Sequence, residues 1–201
     1  MPAFDITRLA DILRDASRGE TLPRFRHLDA TQVHQKSSAI DLVTEADEQA
    51  ERQIKAAVAA AWPEALFVGE ESVAADASLL DKLDGADFAI VVDPVDGTAN
   101  FAAGLPLYAT MASVVVKGET VAGIIYDPMG DDWVLAERGA GAFMRFTDGR
   151  ARRLKVAATP ALEDMVGHVS ITFLPTASKP RVLQNLAKVR VAANYRVAWH
   201  D

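Results

Sequence analysis

Asp93 and Asp96 stand three residues apart at the end of an apolar, β-branched run, Ile90-Val91-Val92, with Pro94 between them and Gly97-Thr98 directly after. Pro94 fixes its own φ and lacks an N–H, so the segment between the carboxylates is stiff. Two hard carboxylates on a rigid turn suit Mg²⁺, which takes oxygen ligands and usually keeps several waters. At Gly-Thr a chain can turn tightly and present free backbone N–H groups. A helix starting near Gly97 would aim those donors, and its positive dipole end, at a phosphate beside the metal. The same letters also spell a strand followed by an Asp-rich turn, and the rest of the chain has to decide.

Further acids lie upstream. Val68-Gly69-Glu70-Glu71-Ser72 is a short apolar run that ends in Gly and adjacent acids, and Asp41-Leu42-Val43-Thr44-Glu45-Ala46-Asp47 supplies a third acidic group. With Lys36-Ser37 and Asn100-Phe101, these motifs resemble, in order and spacing, the inositol monophosphatase family of Mg²⁺-dependent, lithium-sensitive phosphatases. The likeness runs from about residue 5 to residue 157. It implies that Glu70 and Asp93, with the Val95 carbonyl, hold a first Mg²⁺, and that Asp93 and Asp96 contribute to a second. It implies that Asp47, Glu70 and Thr98 position the attacking water and that the Gly97 and Thr98 amides hold the phosphate. Lys36 and Glu71 are expected to support these groups without ligating the metal. The function implied is a phosphomonoester hydrolase for a small phosphorylated polyol or related metabolite. Inositol phosphates, histidinol phosphate, a 3′-phosphonucleotide and fructose bisphosphate all remain open as substrates. The alternative is a metal-binding regulatory or partner protein of the same fold with little turnover.

The elements that must carry these residues are legible from periodicity. Ile6, Leu9, Leu13 and Ala16 mark an amphipathic helix over 5–18. Thr21 to Lys36 reads as less regular, with His27 and His34 solvated, and the resemblance implies that Lys36-Ser37-Ser38 form a loop near the active site. Thr44 and Asp47 fit a capping box opening a helix whose stripe is Ala46, Ala50, Ile54, Val58 and Ala61, stopped at Trp62-Pro63. Asp47 therefore has a capping role available as well as a chemical one. Leu66–Val68 and Phe88–Val92 predict buried strands, with Glu70 and Asp93 just past their ends, and Val73–Gly85 a surface loop with a short helix. Tyr108–Lys117, Thr120–Tyr126, Trp133–Glu137, Ala142–Phe146 and Arg152–Val156 predict a largely antiparallel meander. Gly139 and Gly141 serve its corner. Beyond Pro160 a strand over Gly167–Phe173, a helix over Pro180–Val189 and an apolar segment from Arg190 are expected.

The fold class is α/β in layers. The resemblance makes it a sugar-phosphatase-like αβαβα sandwich, with residues 1–157 as the metal- and phosphate-binding part and 158–201 as the start of an incomplete C-terminal part. The family's Trp-Asp motif, whose aspartate completes the second metal site, is expected later than Trp199-His200-Asp201, so Asp201 is not taken as that ligand. A net charge of −7 argues against nonspecific nucleic-acid binding. There is no cysteine, hence no disulfide or thiolate site. The N-terminus carries no signal-peptide pattern, and no apolar run is long enough for a membrane span. A cytoplasmic homodimer is the expectation.

Overall fold

Asp5 opens the first helix, α1 (Ile6–Ala16), by accepting from the Thr7 and Arg8 amides, and Ile6, Leu9, Ala10, Leu13 and Ala16 form its buried stripe. The computed structural model describes residues 4–38, 41–171 and 174–198. A π-turn (Ser17–Thr21) and two 3-10 turns carry the chain to an antiparallel ribbon of β1 (Val33–Ser38) and β2 (Asp41–Thr44). Lys36-Ser37-Ser38 thus lie in a strand and not in the expected loop. Pairing with β2 gives this polar stretch the backbone partners that a buried loop would lack.

Thr44 and Asp47 form the capping box of α2 (Glu45–Ala61), which ends at Trp62 ahead of Pro63. Next come β3 (Leu66–Gly69), the short helices α3 (Glu70–Ala75) and α4 (Ser78–Asp84), and β4 (Ala89–Asp96), parallel to β3. A five-residue helix, α5 (Thr98–Ala102), follows. The meander is β5 (Ala109–Val116), β6 (Glu119–Asp127), β7 (Asp132–Glu137), β8 (Gly141–Phe146) and β9 (Ala151–Leu154), each antiparallel to the strand before it. The sheet order is β3-β4-β5-β6-β7-β8-β9.

Alternation along the strands decides which face packs. Ile90, Val92, Ala112, Val114, Ala122, Ile124 and Leu135 point to the face covered by α1 and α2 and join Leu9, Leu13, Ile54 and Val58 in the main core. Each of those helix residues is at most 1% exposed, a burial that stabilises by about 1.5–3 kcal/mol apiece. Val91, Met111, Ser113, Ile125, Val134 and Ala136 belong to the opposite face and line an open hollow of about 640 Å³.

The last part is sparse. β10 (Val166–His168) and β11 (Val191–Ala193) form a separate parallel pair, with α6 (Lys179–Leu186) between them in sequence. The strand expected over Gly167–Phe173 is thus shorter, and its last two residues lie outside the described residues. The helix expected to reach Val189 stops at Leu186 and buries no residue fully. Trp199, His200 and Asp201 also lie outside the described residues.

Candidate active site

In a regular strand, positions three apart point to opposite faces, so Asp93 and Asp96 should diverge. They do not. Asp93 faces Met111 and Asp96 faces Ala109, so three steps on β4 oppose two on β5, and the extra residue is a bulge. Both carboxylates consequently line one pocket of about 490 Å³ with Glu70, Val95, Gly97 and Thr98. Asp93 was expected just past a strand end; the strand instead runs on to Asp96, because pairing with β5 resumes beyond the bulge. Pro94, which has no N–H to offer, sits within the bulge, and its carbonyl accepts the buried Thr110 hydroxyl at 2.9 Å. Gly97 then turns the chain at φ 92°, where a Cβ would lie 2.8 Å from the Leu107 carbonyl oxygen. Only glycine meets both conditions. Phe101 anchors the turn from below, edge-on to Tyr108 at 4.9 Å.

Asp47 reaches the turn from α2. It is fully buried and accepts from the Thr44 amide at 2.9 Å and from the Thr44 hydroxyl. Its other oxygen lies 3.0 Å from the Thr98 hydroxyl, which is also 2.9 Å from the Val95 carbonyl. Capping and site geometry are thus served by one side chain. Burial pushes the Asp47 carboxyl up to about 6, against the hydrogen bonds from Thr44 and Thr98.

Glu70 follows β3 directly, as expected. Lys36 donates to Glu70 and to Glu71 at 2.7 Å each, so its ammonium bridges the two acids. Burial alone would lower Lys36, but the two carboxylates outweigh it and hold it above its ordinary range. Burial pushes Glu71 up to about 7 against Lys36, with Glu70 and Asp47 adding to the rise. Asp93 is raised well above the carboxylate range, first by burial and then by the charges of Glu70 and Asp96. Glu70, Asp93, Val95, Asp96, Gly97 and Thr98 therefore line one pocket, with Asp47 behind Thr98 and Lys36 and Glu71 behind Glu70. His27 and His34 are exposed.

The model of the inositol monophosphatase family matches residues 7–197. The chain belongs to this family. An inositol-1-monophosphatase of Rhizobium meliloti is 38% identical over 151 residues, 74% of this chain and 52% of that protein. The Nus factor SuhB of Pseudomonas aeruginosa is 36% identical over 148 residues, 73% of this chain and 51% of its own length. The crystal structure of the extragenic suppressor protein SuhB from Bartonella henselae superposes with a TM-score of 0.79 at 30% identity, covering 96% of this chain and 70% of that one. The chain thus spans about half the length of these two curated relatives.

Inositol monophosphatases are generally metal-dependent, and the donors here are hard oxygens throughout, the kind a divalent cation such as Mg²⁺ takes. The crowding that raises Asp93 and Glu71 is also what a cation would relieve. Among the described residues no three of these acids stand ready around one point. Glu70 is turned to Lys36 instead, so the positive charge of the ammonium offsets part of the crowding. The donor chemistry fits the ion.

Sequence reasoning missed several residues of the site. Ser170, Arg196 and Ala198 also line the pocket, as does Asp41, which the motif included without a role, and the Ala198 amide donates to Asp96. Asn100 ties the incoming segment down by donating to the Leu107 and Tyr195 carbonyls, and Val197 is buried against Gly97. The contacts of Asp96 with Ala198, Asn100 with Tyr195 and Gly97 with Val197 join positions some hundred residues apart and leave no local pattern. Glu51 was readable in principle, as an acid one turn past Asp47 on the same helix face.

Proposed function

We propose that this site hydrolyses a small phosphorylated polyol or related metabolite with Mg²⁺ as cofactor. The convergence of Glu70, Asp93, Asp96 and Thr98 on one pocket, with Asp47 against the Thr98 hydroxyl, carries this reading. Glu70, Asp93, Asp96 and the Val95 carbonyl would hold the metal. When bound, Mg²⁺ supplies charge neutralisation on the phosphoryl oxygens, an acidified water and in-line orientation. The Gly97 and Thr98 amides bind phosphoryl oxygens where they line the pocket. Thr98 has a single hydroxyl proton; donating it to Asp47 leaves an oxygen lone pair to accept from the attacking water, whose proton goes to Thr98 as the Thr98 proton passes to Asp47. Asp47, raised to about 6, is matched to taking up that proton near neutral pH.

The test is phosphate release from inositol phosphates, histidinol phosphate, 3′-phosphonucleotides and fructose bisphosphate, with and without Mg²⁺. Release that needs Mg²⁺ and vanishes in Asp93→Asn is the expected result. Mg²⁺ uptake without turnover on any substrate supports a second reading, a regulatory or partner protein. The 36% identity to a protein named Nus factor SuhB favours keeping it. The proposal retains the division at residue 157, a cytoplasmic location and a homodimer; the apolar outer face of the sheet supports the homodimer, which sedimentation checks. Among the described residues no helix is long and apolar enough to cross a membrane.

A further inference from the structure

Glu51 is a charged side chain only 5% exposed, and the chemistry above makes no use of it. It sits on α2 one turn beyond Asp47, so the two acids share a face of that helix. Asp47 reaches the turn after β4. Glu51 reaches the turn after β3. Its Oε2 accepts the Glu71 amide at 2.7 Å, and its Oε1 accepts the Ser72 amide at 2.9 Å and the Ser72 hydroxyl at 2.5 Å. Charge-assisted bonds of this kind are shorter and stronger than neutral ones.

Gly69 completes the arrangement. A Cβ there would lie 2.3 Å from the Glu51 Cδ and 2.4 and 2.5 Å from its two oxygens, so the carboxylate occupies the space any side chain at 69 would need. The Gly69–Ser72 turn is therefore clamped on both sides: by the seat at Gly69 and by the two amides that follow Glu70. Glu70 is the residue between them. A carboxylate that only capped a surface helix would have no reason to close around the residue that aims an acid into the pocket.

We propose that Glu51, seated against Gly69, is a positioning residue that fixes the direction of Glu70 and Glu71 relative to Asp47, and through them the cation affinity of the site. This rests on the metal-dependent reading above. The test compares Glu51→Gln and Gly69→Ala with Val58→Ala, a core substitution on α2 far from the pocket. Amide hydrogen exchange is followed in the metal-free protein, and Mg²⁺ binding by calorimetry. In Glu51→Gln, exchange at Glu71 and Ser72 should quicken while β5 and β6 keep their protection. Mg²⁺ affinity should fall about ten- to a hundredfold, the usual loss when a group holding a ligand is removed. Gly69→Ala should reproduce both effects, because its Cβ displaces the same carboxylate. Val58→Ala should lower the melting temperature yet leave both readouts near wild type. Unchanged exchange at Glu71 and Ser72 in both site variants, or a loss of Mg²⁺ affinity no larger than that of Val58→Ala, overturns the inference. If the wild type itself takes up no Mg²⁺, the metal-dependent reading fails and the affinity claim falls with it; normal uptake with unchanged exchange overturns the role of Glu51 alone.

Discussion

At the end of β4 the backbone aims the acids: a bulge brings Asp93 and Asp96 to one side, Pro94 stiffens it and Gly97 turns it at a φ few residues accept. At the end of β3 side chains do the aiming: Lys36 bridges Glu70 and Glu71 from one side, and Glu51 holds the Glu71 and Ser72 amides from the other. Backbone-set carboxylates keep their direction whatever ion is present. Carboxylates held by an ammonium can exchange that partner for a metal. The contrast is between a β4 turn set by its own backbone and a β3 turn set by side chains from β1 and α2.

Breaking the β4 half should have the largest effect. Asp93→Asn is expected to lower kcat/KM for Mg²⁺-dependent phosphate release by about a thousandfold or more, in keeping with the several kcal/mol a bound metal supplies. Glu71→Gln, on the β3 half and behind Glu70, should cost only about tenfold. Equal losses in steady-state assays would erase the distinction between the two turns.

Gly97→Ala tests the backbone itself. A left-handed φ costs an alanine about 1–2 kcal/mol, and the contact with the Leu107 carbonyl should add about 1–3 kcal/mol. Urea denaturation should show the combined loss; a midpoint unchanged from wild type would mean the turn relaxes freely.

Thr98→Ala sharpens the picture at smaller scale. It removes the hydroxyl between Asp47 and the Val95 carbonyl and leaves the backbone, so kcat should fall about a hundredfold while Mg²⁺ affinity barely moves. Loss of Mg²⁺ binding in a calorimetric titration would make Thr98 part of the scaffold.

The smallest effect is on stability against pH. Asp47 and Glu71 are raised in the folded, metal-free chain, so they favour folding fully below their unfolded pKa and lose that contribution as pH rises through about 6 to 7; Asp93 is raised in the same direction. A cation reverses the preference by stabilising the ionised forms. Mg²⁺ should therefore raise the melting temperature more at about pH 7.5 than at about pH 5. An equal rise at both would show that these acids do not face the ion.

Most of this architecture is written locally. The stripes of α1 and α2, the capping box at Thr44 and Asp47 and the alternation in β5 to β7 are short-range patterns, and each formed close to where periodicity put it. The motif acids could be named from their spacing and family likeness alone. What the chain could not announce is how Asp93 and Asp96 come to share a side, because a bulge exists only against the register of a second strand. Nor could it announce that Lys36 lies in a strand, which depends on pairing with β2. Glu51 looks like one more acid on an amphipathic helix until the fold brings Gly69 and the start of α3 against it. Local sequence sets which faces are apolar and where elements begin; the direction of a buried carboxylate depends on donors from other segments, and only tertiary packing decides which donors those are.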